Sequence, residues 1–367
     1  MNDIGYNIIE LFSSSFELIS GKETCDAFIA EYQINVLNPS LPEIDIVDNI
    51  NCRDQIAIHF FETDDSESIS YLSSNPNSWS AFISELQMNN SPKGKIKIHI
   101  EKRMQNNQLS IYNIDYFTEY INTLSLSQLM AILDNRFTTS LIFEVQDECY
   151  SEWSTSTIAF IAKNSKYDIS GIGIINRNNR FNEARNLCYR EVKRYKLLPE
   201  DLFFPQYDES NSLQCAFIKA CMIYTFSFIF DYSIIKNDIY EYKLNGFRTL
   251  SGQIDVRQLP CVEINTNSYK SIYEIYQWLY LGGNNSDKIN IARNIISLNI
   301  NKDSLRIDST ALNSILSNYK IYEKENVKQY LQVRNKLSEL LIDLQEKISA
   351  IVDSLSLIHI SEPTRPY

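Results

Sequence analysis

Between residues 95 and 104 the chain alternates strictly. Ile96, Ile98 and Ile100 fall on one side of an extended backbone and Lys95, Lys97, His99, Glu101 and Arg103 on the other. That two-residue period predicts a strand with one wet face. QIAIHFFE at 55–62 reads as another strand, and SWSAFISELQ at 78–87 as a helix capped by Ser or Asn. Turn residues at 105–107 followed by QLSIYN at 108–113 make 95–104 one arm of a hairpin, with its lysines protecting a sheet edge. Helices are expected at 116–123 and 125–133, then strands at 140–146 and 156–162 in or beside the same sheet, a further strand at 169–175, and a helix from Phe181 to Lys196 with Asn182 as N-cap. Strands and helices mix without the regular period of a doubly wound fold, which places the chain in the α+β class: an N-terminal mixed sheet with helices, then a mainly helical C-terminal part.

Pro199, Pro205 and the polar stretch 206–212 mark the expected boundary of an α+β domain over 1–205. A second segment, 206–300, holds an apolar helix at 215–230, a β-hairpin and further helices. The apolar helix is uncharged for too few residues to span a bilayer, which takes about 20, so it reads as buried core. Asn245-Gly246 between 239–244 and 247–250 suits the positive-φ positions of a type I′ turn. Gly282 and Gly283 suit a helix C-terminus and Ser286 the start of the next helix. The segment 301–354 is expected to be helical or coiled coil. From Glu323 to Ser354, Val327, Tyr330, Val333, Leu337, Leu340, Leu344, Ile348 and Ile351 recur at steps of three and four, near heptad spacing. A helix of that length extends roughly 48 Å, so part of it must pack on something outside its own domain, as a coiled coil or strut, unless it simply covers a local core.

Composition narrows the classes. The chain of 367 residues is 44% hydrophobic, enough for a core, and its net charge of −12 repels nucleic acid and anionic lipid on average. Seven cysteines are scattered without a C-x-x-C pair, which argues for reduced thiols rather than a disulfide framework or zinc site. The start MNDIGYNIIELF lacks the cationic region of a signal peptide, so a cytoplasmic protein is expected. The abundance of Asn, Ile, Ser and Tyr reads as AT-rich coding and points to a bacterium. Residues 355–367, LSLIHISEPTRPY, resemble the translated read-through of a sequencing adapter. That resemblance implies a non-native tail on a chain cut short, with a membrane segment possible in the missing part.

Candidate chemistry is sparse. Arg177, Arg180, Arg185, Arg190, Lys193, Arg194 and Lys196 face only Glu183 and Glu191 within one short segment. With Arg177 and Arg180 in a loop feeding a helix N-terminus, this segment is a candidate phosphate or nucleic-acid contact; the alternative is a solvated helix face. Asp134 and Glu144, with Gln146 two residues on, loosely resemble the acid-then-E-x-K arrangement of metal-dependent nucleases, which would imply Mg²⁺ as cofactor. Gln146 stands where such enzymes carry lysine. His59 and His99 are too few to build a histidine triad or a His-rich metal site. Gly171-Ile172-Gly173 lacks the third glycine of a dinucleotide loop. The connection at 278–286 has helix-turn-helix form but few cations after it. The leading expectation is therefore a non-catalytic interaction or regulatory protein that docks a partner or self-associates through Glu323 to Ser354. The competing one is a Mg²⁺-dependent nuclease or phosphate-binding protein.

Overall fold

The computed structural model describes residues 4–38, 50–62, 68–75, 78–88, 93–165, 167, 174–190, 195–262, 266–301 and 305–360. The chain forms two compact units, 1–309 and 310–367. The fold is α+β. The strand expected at 169–175 and the glycines at 171 and 173 fall largely outside the described residues, as do Lys193 and Arg194.

The first sheet is antiparallel, in the order β1 (Ser15–Glu23), β2 (Ala27–Val36), β5 (Gly94–Glu101), β3 (Gln55–Phe61), β4 (Ile69–Leu72). Its alternation works as the sequence demands. Ile96, Ile98 and Ile100 of β5 join Phe28, Ile34, Ile56, Ile58 and Phe60 in one core, covered by α1 (Ile4–Phe12) and α2 (Ser78–Met88) through Ile8, Phe12, Trp79 and Phe82. The lysine-rich strand β5 is not an edge: β2 and β3 pair with it on both sides. Its lysines lie on the wet face of a central strand, and one side-chain period serves either position in a sheet.

The expected hairpin after β5 does not form. The turn is present, with Asn106 and Asn107 at positive φ of 52° and 62°. But β6 (Gln108–Ile111) then crosses into a second sheet and pairs in parallel with β7 (Leu141–Val145), which pairs in parallel with β9 (Ile158–Ala162); β8 (Trp153–Ser154) closes that sheet. Residues of β9 are buried throughout, as expected of a parallel strand covered on both faces. Between β6 and β7 lie α3 (Ile114–Thr123), capped by the Asn113 side chain, and α4 (Leu126–Arg136), started by a Ser125–Gln128 capping box. Phe117 of α3 packs on Phe143 and Phe160 of this sheet.

The boundary expected near Pro205 does not separate two units. α6 (Pro199–Leu202) and the buried helix α7 (Ser212–Phe226) lie against the second sheet, with Phe217 set edge-on to Phe160 and Trp153. A third sheet runs β10 (Tyr189–Arg190), β11 (Tyr232–Lys236), β12 (Ile239–Asn245), β13 (Thr249–Asp255). The 12–13 hairpin forms, but its glycine has a different purpose from the one expected. The left-handed pair is Asn237-Asp238, joining β11 to β12 at φ of 51° and 56°. Gly246 instead lets the hairpin approach α9 (Asn285–Asn299), because a Cβ there would collide with the Arg293 carbonyl and Ser297. α8 (Tyr269–Tyr280) ends at Gly282 and Gly283, both left-handed, and Asn284 rather than Ser286 caps α9. Short strands β14 (Ile300–Asn301) and β15 (Arg306–Ile307) complete the unit.

The second unit is α10 (Ala311–Ile360), a helix of 50 residues extending roughly 75 Å. It passes through the junction at Leu355 where the adapter-like tail begins. No helix among the described residues is long and apolar enough to cross a membrane.

Candidate functional site

The two carboxylates proposed for metal chemistry are each engaged elsewhere. Glu144, on β7, accepts hydrogen bonds from Asn51 Nδ2 at 2.8 Å and from Arg53 Nη2 at 2.7 Å. Arg53 also donates to Gln108 and Ser110, which fastens the loop after residue 50 across the ends of β6 and β7. Gln146 donates to the Glu144 carbonyl, and its own side-chain oxygen is buried without a partner among the described residues. Asp134, on α4, instead accepts from the Lys196 backbone N–H. No group of three metal-ligating side chains occurs among the described residues.

The basic segment is split by the fold. α5 (Ile174–Leu187) begins seven residues earlier than expected and ends at Leu187, so Arg177 and Arg180 lie inside a helix and not in a loop before one. Both are turned to the same task. Arg177 makes a bidentate pair with the fully buried Asp201, and Arg180 an ion pair with the buried Glu200, whose other oxygen accepts from Tyr276 Oη at 2.8 Å. Burial raises the Glu200 pKa and Arg180 opposes that rise. The sequence shows seven cations and two acids because the compensating acids sit at 200–201, beyond the segment.

Arg185, Arg190 and Lys196 have a different fate. They line a cavity of about 630 Å³ together with Asn178, Asn182 and Tyr189. Asn178, Asn182 and Arg185 follow one another at steps of four and three, so they share a face of α5. Tyr224 of α7 and the buried Tyr195 and Cys188 form its inner wall. The Arg190 guanidinium lies 3.9 Å from the Phe228 ring centroid, a fixed cation–π stack. Burial pushes the Cys188 thiol up against the opposing pull of Arg293 and Arg190, which keeps it protonated and a poor nucleophile. Lys196 was visible in the sequence only as part of a charge run.

On α10, Val327, Leu341, Ile348 and Leu355 occupy one heptad position and Tyr330, Leu337, Leu344 and Ile351 another, all more than half exposed. Arg334 is the one charged interruption of that frame between Val327 and Leu355. Charge along the helix is segregated. Residues 320–336 carry five cations and two acids, and residues 337–353 four acids and one cation.

No protein-family model matches the chain, and no curated protein or solved structure is similar to it.

Proposed function

We propose that this protein is a non-catalytic interaction protein that self-associates through α10, two copies pairing side by side. The observation that carries this reading is the exposed apolar stripe of α10. A soluble monomer rarely leaves a contiguous apolar patch beyond a few hundred Å² in water, and here fourteen large apolar side chains from Ile321 to Leu355 are exposed on one helix.

Arg334 and the segregated charge favour an antiparallel pair. In a parallel pair Arg334 would face its own counterpart, and each half of the helix would meet a half of like charge. Running antiparallel, Arg334 meets an apolar position along which its stem can lie, and the cationic half of each copy meets the acidic half of the other. Seven free thiols suit a reducing compartment such as a bacterial cytoplasm.

Light scattering of the intact chain tests this. The expected result is twice the chain mass of 42.7 kDa, falling to a single copy in the Leu341→Glu, Ile348→Glu double variant. A wild-type chain that stays single at tens of micromolar overturns the reading.

A further inference from the structure

We infer that the cavity beside α5 binds a small phosphorylated ligand carrying a planar ring, of the nucleotide class. Three cations line it, and no acid lines it among the described residues. Arg185 and Arg190 have no ion-pair partner among the described residues, although Arg177, Arg180, Arg257 and Arg293 all do. The Lys196 ammonium reaches only the Asp134 backbone carbonyl, at 3.4 Å, while the Asp134 carboxylate is held by the Lys196 N–H. The Asp134 carboxylate, near enough to Tyr195 and Tyr224 to add to burial in raising both phenols, offsets part of this charge; the surplus that remains in a concave wall focuses the field on an incoming anion. It outweighs the partial negative charge at the C-terminal end of α5.

The rest of the wall suits a ring and its hydroxyls better than a bare ion. Tyr189 stacks on Tyr232 with centroids 5.4 Å apart and an interplanar angle of 1°, and it remains 59% exposed. That is a pre-oriented platform of the kind on which a base gains about 1–3 kcal/mol by stacking. Asn178 and Asn182 offer amide donors and acceptors from one helix face, with no hydrogen-bond partner among the described residues. The volume of about 630 Å³ lies within the usual range of small-molecule sites. A net charge of −12 disfavours a long polyanion, so three local cations are matched to a di- or triphosphate.

Isothermal titration of the full chain with ADP tests the inference, with adenosine, inorganic phosphate and a single-stranded oligonucleotide as comparison probes. ADP is expected to bind more tightly than adenosine or phosphate. The exposed-site variant Arg185→Gln, Lys196→Gln is expected to lose at least about tenfold in affinity, or about 1.4 kcal/mol, with an unchanged urea midpoint. Tyr189→Ala is expected to weaken ADP while leaving phosphate unaffected. Failure of ADP to bind the wild type at millimolar concentration overturns the inference. So does equal affinity in the charge variant, or oligonucleotide binding that ADP does not displace. The Leu341→Glu, Ile348→Glu chain, titrated in parallel, is expected to bind ADP as the wild type does, so failure of self-association leaves this result readable.

Discussion

Arg177 and Asp201 hold each other in a two-pronged grip, Nη1 on Oδ2 at 2.8 Å and Nη2 on Oδ1 at 2.7 Å. Asp201 also receives the Leu198 N–H at 2.6 Å and the Thr157 hydroxyl at 2.5 Å, so one buried carboxylate ties α5, α6 and the entry to β9 together. Asp201→Ala takes the bidentate carboxylate from a buried guanidinium and is expected to cost about 3–5 kcal/mol. A urea midpoint indistinguishable from wild type would contradict this role.

Glu23 and Lys102 are both fully buried, and Glu23 also accepts from the backbone N–H groups of Tyr112 and Asn113. The pair thus joins the first sheet to the start of α3. Glu23→Gln leaves the buried Lys102 ammonium its Thr24 carbonyl but takes away the carboxylate charge, and is expected to lower stability by about 3 kcal/mol or more. Thermal unfolding of the two proteins side by side measures the difference.

Gly246→Ala is expected to destabilise by about 1–3 kcal/mol through overpacking, because the added methyl meets, besides the Ser297 side chain, the α9 backbone carbonyl of Arg293, which cannot swing away. Calorimetry gives the answer directly; a neutral effect would mean the hairpin shifts freely from α9.

Asp238→Gly works in the opposite direction. Asp238 sits at φ 56°, a conformation costing a non-glycine residue roughly 1 kcal/mol, and its carbonyl bond from the Val256 N–H at 2.9 Å survives the change. The variant is expected to gain up to about 1 kcal/mol in chemical denaturation, and a loss would refute the account.

Antiparallel pairing of α10 predicts efficient energy transfer between a donor at position 321 on one copy and an acceptor at 353 on the other. Two probes both placed at 353 would then sit roughly 50 Å apart and transfer poorly. A parallel pair reverses both results.

Local pattern alone determined the elements whose side-chain period is decisive: β5 and its isoleucine face, the buried α7, the helices α3 and α4, and the heptad repeat of α10. These follow from chain geometry and the segregation of apolar side chains, which adjacent residues express by themselves. Pairing and compensation belong to the tertiary structure. Whether β5 lies at an edge or in the centre depends on strands distant in sequence, and so does the departure of β6 into another sheet. Asn-Gly at 245–246 looked like the tight turn because composition reports what a residue permits; packing against α9 decided what Gly246 is for. The basic segment shows the limit most clearly. Its charges were countable in the sequence, but only the approach of Glu200 and Asp201 removed Arg177 and Arg180 from the available set. The same folding brought Arg185, Arg190 and Lys196 to one cavity, because the range of an ion pair is set by distance in space and not along the chain.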